Sequence, residues 1–116
     1  MLTKNLPITR EVKKLRNTII GYTADFPKRF KYTIGDRMIN VVLDLNKYIR
    51  RANEETNPQN RSYYIRELRY LIEDLEDLTD CCMEHKILSI KQVAQIATFV
   101  DSVGRQSTGW LHSVGK

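Results

Sequence analysis

Apolar residues recur at spacings of three and four along most of this chain, and no stretch shows the strict alternation of a half-buried strand. Ile8, Val12, Leu15, Ile19, Tyr22 and Phe26 form one stripe and predict a helix over about 9–25. Ile34, Met38, Val41, Val42, Leu45, Tyr48, Ile49 and Ala52 predict a second over about 33–55. Ile65, Leu68, Leu71, Ile72, Leu75, Leu78, Thr79 and Cys82 make a heptad-like seam over about 58–86. Ile90, Val93, Ala94, Ile96, Ala97, Val100, Val103, Trp110, Leu111 and Val114 predict a fourth over about 89–113. Short connections make consecutive helices antiparallel neighbours. The fold class expected is all-α, an up-down-up-down four-helix bundle, with residues 1–116 as one domain.

Punctuation between the stripes agrees. Pro27 disfavours helix just before it. Thr33 is expected to cap the second helix, with Asp36 at its positive end and Gly35 in its first turn. Asn57 is a good N-cap before Pro58, which suits a first helical position. Ser89 and Gln92 have the spacing of a capping box for the fourth helix.

Composition bears mainly on function. Charged residues are 28% and hydrophobic residues 41%, ordinary for a soluble globular domain. No apolar run approaches the roughly 20 residues that span a bilayer. Met1 to Arg10 lacks the apolar stretch of a signal peptide, so a cytoplasmic protein without a membrane partner is expected. Cys81 and Cys82 are adjacent and cannot readily bond to each other, which agrees with a reducing compartment.

The net charge is +5, and it is unevenly spread. Residues 1–37 hold nine cations and three anions, whereas residues 67–88 hold two cations and seven anions. A chain with a basic and an acidic region suits two unlike partners, or subunits that pair unlike surfaces. The basic region is densest at Phe26-Pro27-Lys28-Arg29-Phe30-Lys31-Tyr32, three cations and three aromatics in seven residues. Lys13, Lys14, Lys28, Arg29, Lys31 and Arg37 can converge there as a phosphate-binding surface, with Phe30 and Tyr32 able to stack on unpaired bases. The blander reading is a solvated corner whose aromatics seal the core. The acids Glu73, Asp74, Glu76, Asp77, Asp80 and Glu84 lie toward a helix C-terminus, which the macrodipole disfavours, so an opposing basic surface is expected. Glu73, Asp74, Asp77 and Asp80 are the candidate protein contact.

The fourth helix is low in charge. Between Ser89 and Val114 only Lys91, Asp101 and Arg105 are charged. A helix so apolar and so rich in small residues is expected to be covered on more than one face, which points to a homo-oligomer. Catalytic signals are lacking. Cys81, Cys82 and His85 resemble metal ligands, yet a site needs three or four ligands and His112 is on another helix, so no metal or other cofactor is expected. Glu-x-x-His, which di-iron bundles need twice, does not occur. No Gly-rich phosphate loop is present either. A non-enzymatic chain is expected.

Several of these residues together carry a family resemblance. Phe26-Pro27-Lys28-Arg29 is followed by Tyr32-Thr33-Ile34-Gly35-Asp36-Arg37. Leu88-Ser89-Ile90-Lys91-Gln92-Val93 opens the fourth helix, and Val103-Gly104-Arg105 with Gly109-Trp110-Leu111 closes it. In order and spacing the chain resembles the accessory variability proteins of diversity-generating retroelements, which belong with the four-helix-bundle proteins of ribosomal-RNA intervening sequences. The resemblance implies a homopentameric barrel that associates with a reverse transcriptase and with RNA or DNA and supports mutagenic copying of a template repeat. The alternative is a stand-alone oligomeric nucleic-acid-binding bundle of the intervening-sequence type. The acidic third helix departs from the strongly basic barrels of that family.

Overall fold

The computed structural model describes residues 2–114. Its four long helices are α1 (Pro7–Ala24), α2 (Asp36–Glu54), α3 (Pro58–Glu84) and α4 (Ile90–Val114). Among the described residues there is no strand. A 3₁₀ turn at Thr3–Asn5 precedes α1. The molecule measures 45 × 22 × 21 Å. Helices of 18 to 27 residues, about 27 to 40 Å long, are too long to lie across it and run lengthwise.

The predicted stripes of the first three long helices are buried or packed on the core, whereas of the apolar residues of the fourth Ile96, Val100 and Val103 are buried and Ile90, Ala94 and Ala97 are exposed. Val12, Leu15 and Ile19 of α1, Met38, Val42, Leu45 and Ile49 of α2, Leu68 and Leu75 of α3, and Ile96 and Val103 of α4 meet in one core. Each helix packs on the two beside it: α1 on α2 and α4, and α3 on α2 and α4. Buried hydroxyls close on their own helices. Thr23 Oγ1 donates to the Ile19 carbonyl at 2.8 Å, and Thr79 Oγ1 to that of Leu75 at 2.8 Å. Their polar atoms therefore enter the core already satisfied.

Helix ends follow the expected chemistry at two of the starts. Asn57 Oδ1 accepts from the amides of Gln59 (2.9 Å) and Asn60 (3.2 Å), and Pro58 is the first helical residue of α3. The Ser89 amide donates to Gln92 Oε1 at 2.9 Å, and the Gln92 amide donates to Ser89 Oγ at 3.1 Å. This is the reciprocal capping box of α4.

The start of the second helical stretch differs from the reading of Thr33 as its cap. The Pro27 carbonyl accepts from the amides of Phe30 (2.8 Å) and Lys31 (2.9 Å), so helix begins at Lys28. It runs through one α turn, Lys28–Phe30, and a wider π turn, Lys31–Gly35, into α2. Thr33 lies inside this stretch and donates back to the Arg29 carbonyl at 2.9 Å. The extended Pro27 supplies the carbonyl that opens the first turn, which leaves Thr33 no free amides to cap. Gly35 is buried there, and a β-carbon on it would stand 3.4 Å from the Phe26 ring and 3.4 Å from the Phe30 carbonyl.

Loss of the Asn57 cap leaves two amides of α3 dependent on water. Asn57→Ala is expected to lower stability by about 1 kcal/mol, read by urea denaturation with unchanged helical circular dichroism.

Candidate nucleic-acid interface

The basic corner is built on the end of the core. Phe26 is buried, and the chain after Pro27 turns outward, so Lys28 and Arg29 are exposed while Lys31 is half-buried. The Arg29 guanidinium carbon lies 4.4 Å from the centre of the Phe30 ring, and Lys31 Nζ lies 5.8 Å from that of Tyr32. Phe30 packs against the core and Tyr32 is 62% exposed. Phe30 thus closes the bundle end, while the Tyr32 ring lies largely in solvent beside Lys31.

The structure adds a second connection to this corner. The Phe30 and His85 rings lie 6.5 Å apart, tilted by 40°, which brings the α3–α4 turn beside the α1–α2 turn. That turn ends α3 with Lys86 at φ 57°, a left-handed conformation usually taken by glycine. The Ile87 amide donates to the Cys82 carbonyl at 2.8 Å, and the Lys86 amide to that of Met83 at 3.1 Å. These are the two bonds of a Schellman motif, with a lysine held at the position that costs a side chain about 1 kcal/mol or more. Lys86 and Lys91 are both exposed. The same end of the bundle therefore carries the exposed Lys28, Arg29, Lys86 and Lys91 and the half-buried Lys31, together with the carboxylates of Asp25, Asp36 and Glu84. No ion pair among the described residues involves any of these lysines or Arg29.

Two of the residues read as part of the corner are placed apart from it, and a third, Arg37, borders it in a groove that also holds acids. Lys13 and Lys14 are exposed on α1, with about 16 Å of helix between Lys13 and Ala24. Lys14 Nζ pairs with Glu11 at 3.5 Å. Arg37 lines a groove between α2 and α3 with Asp36, Asp44 and Asp74. Lys13 and Lys14 make a separate cationic strip, and Arg37 sits among acids.

The acidic surface of α3 is also divided. Asp74 borders the α2–α3 groove. Glu73, Glu76 and Asp80 border the α3–α4 side, where Asp101 joins them over Ile72, Ile96 and Val100. Burial there, and then the charges of Asp101, Asp80, Glu73 and Asp77, push the Glu76 carboxyl above its ordinary range. Arg69 and Arg105 flank the end of this groove.

The cysteines take no part in either surface. Cys82 is buried with its Sγ 3.8 Å from Met38 Sδ, and burial, with Cys81 beside it, pushes its thiol up to about 11. A thiol protonated at neutral pH is a core side chain rather than a ready nucleophile. Among the described residues no three His, Cys, Asp or Glu side chains converge as a metal site. No described helix is long and apolar enough to cross a membrane.

Two substitutions follow. Lys86→Gly removes the left-handed strain and one cation together. It should raise stability by about 0.5–1 kcal/mol in urea denaturation while weakening retention on heparin. Glu76 carries the opposite cost: its raised folded pKa makes its ionised form unfavourable, so the stability it gives is full below the ordinary carboxylate pKa and is lost as pH rises through the folded value. Glu76→Gln should therefore be more stable than the parent at pH 7, and the difference should shrink as pH falls toward 4, by thermal denaturation at matched ionic strength. The chain matches no family model and no curated protein sequence.

Proposed function

We propose that this chain is a non-catalytic accessory protein of a diversity-generating retroelement, which binds the reverse transcriptase and template RNA or cDNA and supports mutagenic reverse transcription. The observation that carries the nucleic-acid part is the exposed Lys28 and Arg29 beside Lys31 and the exposed ring of Tyr32, with no ion pair of their own among the described residues. Cations of this kind bind phosphates in any sequence, and an exposed ring accepts any unpaired base. The retroelement part rests on the resemblance carried by Phe26–Arg37 and by the two ends of α4.

In this reading the helices alternate up and down, since each runs lengthwise and the turns joining them are short. The bundle closes into a homopentameric barrel. Support for a covered surface comes from α4, whose outward residues include Ala94, Ala97, Thr98 and Gly109, with Ile90 80% exposed. Glu73, Asp74, Asp77 and Asp80 contact the polymerase, and the basic end is left for nucleic acid. Lys13 and Lys14 add a second phosphate-binding strip along the subunit's flank.

The test has three parts. Replacing Lys28, Arg29 and Lys31 with alanine should weaken binding to unrelated single-stranded RNAs alike. It should also reduce the slope of log affinity against log salt by about 2, in fluorescence anisotropy across salt concentrations. Unchanged affinity would reduce the corner to a structural role. Light scattering at micromolar concentration should give five times the mass of one chain, and a monomer ends the barrel. Charge reversal of Asp74, Asp77 and Asp80 to lysine should abolish capture of the reverse transcriptase encoded beside the gene, with mass and RNA binding retained. Intact capture removes the acids from that contact.

A further inference from the structure

Two sides of the bundle carry exposed apolar side chains beside opposite charge. α2 faces α1 along Gly35, Ile39, Asn46 and Asn53. A β-carbon on Gly35 would stand 3.5 Å from Thr23 Cβ, and Asn53 Nδ2 donates to Thr3 Oγ1, just before α1, at 3.0 Å. Leu43 lies three residues before Asn46 and Arg50 four after it, so both stand at the outer edge of that stripe. On α1, Thr23 marks the side toward α2, and Ile20 and Arg16 lie three and seven residues before it. Ile20 is 44% and Leu43 48% exposed. The α1–α2 side is thus apolar with Arg16 and Arg50 beside it, and neither stripe holds an acid.

The α3–α4 side has the other sign. Glu76, Val100 and Asp101 line both grooves between these helices and stand where the two grooves join. Among the described residues neither Glu76 nor Asp101 has an ion pair. Burial first, and then Asp101 and the acids of α3, raise the Glu76 carboxyl, and no cation offsets them. Arg69 and Arg105 lie at the far end only. Toward the basic end of the molecule this side becomes apolar. Met83 is seven residues after Glu76 and Ile90 seven before Ala97, so each shares its side, and they are 41% and 80% exposed. Glu73 and Asp80 border the grooves further out on α3, and Asp74 faces the α2 groove.

Both sides read the same way from the basic end. Ile20 stands about 6 Å and Arg16 about 12 Å from the end of α1, while Met83 stands at the end of α3 and Glu76 about 12 Å from it. Leu43 and Ala97 are each about 10 Å into their helices. Two copies lying side by side in the same sense therefore set Ile20 and Leu43 against Met83, Ile90 and Ala97, with Arg16 against Glu76. A copy turned end for end would set apolar surface against charge.

We propose that the α3–α4 side of one copy receives the α1–α2 side of a second copy, the two bundles running in the same sense. This rests on the reading that the protein assembles from copies of itself, and it names the faces that meet. α1 packs on α2 and α4, and α3 on α2 and α4, so the two faces lie on different sides of one bundle. The contact is heterologous: each copy gives one face and receives on the other, and the series ends where a ring closes.

Mass is followed by light scattering through a dilution series in the micromolar range, with circular dichroism as the check on folding. Glu76→Arg alone and Arg16→Glu alone should each raise the concentration of half-dissociation by about tenfold or more, and the two reversals in one chain should restore the wild-type value. Leu43→Asp and Ile90→Asp each spoil one face and leave the other. Each alone should have the mass of one chain, and a 1:1 mixture should have the mass of two. Should a charge reversal lose its native circular dichroism, this exposed pair decides. The proposal is overturned, with the barrel left standing, if wild type assembles while the reversals and both aspartate variants keep its mass, if the folded double reversal restores nothing, or if the mixture stays at one chain. A monomeric wild type overturns the contact and the barrel together.

Discussion

The closure of Phe26 beneath Gly35 decides how the two halves of the molecule meet. The π turn seats Gly35 over the Phe26 ring, where a β-carbon would stand in van der Waals contact at 3.4 Å, and folds over the end of α1. This seals one end of the core and sends the chain into α2 beside α1. It also fixes where charge can go. The side of the turn facing the core is taken by Phe26, Phe30 and Gly35, so Lys28 and Arg29 have only the solvent side left. The aromatics and the cations of this short run therefore serve different masters, one the core and the other the surface.

The first three stripes were legible because burial in a bundle follows the helical period directly, whereas the fourth helix carries apolar residues on its outer side as well, Ile90 among them. Residues spaced by three and four in the sequence are the ones at or near zero exposure, Val12 and Leu15 as much as Leu68 and Leu75. Caps whose chemistry is wholly local were legible too, as Asn57 and the Ser89–Gln92 pair show. The entry to the second helical stretch was not. A threonine followed by an acid reads as a cap, yet the Pro27 carbonyl had already opened the helix upstream, and only the tertiary seat of Gly35 reveals the wider turn between them.

The basic end was half legible. Lys28, Arg29 and Lys31 are neighbours in sequence and were found by density alone. The contact of Phe30 with His85 brings the turn that carries Lys86 to the same end of the bundle, which no local pattern announces. A lysine in a turn where glycine is easier was the one available signal, and it needed the backbone angle to be noticed. Distance along α1 worked the other way and removed Lys13 and Lys14 from the same group. The acids of α3 look like one patch in sequence because the helix is written as a line. Around its circumference they face two grooves, and only the one shared with α4 crowds Glu76 enough to disturb its ionisation.

The wider turn at Lys31–Gly35 has a consequence for phase. A π turn holds more than the usual 3.6 residues, so the sequence before it falls out of step with the helical period after it. The face that carries Lys28 and Arg29 is thereby uncoupled from the stripe of Met38, Val41 and Leu45 that grips the core. The wider turn takes up about one residue more than an α-helix needs for the same rotation, so a one-residue deletion that restores ordinary helix would leave Lys28 and Arg29 on the outer face. The packing of Phe26 and Phe30 on the core, rather than the length of the turn, sets which way the end of the molecule faces.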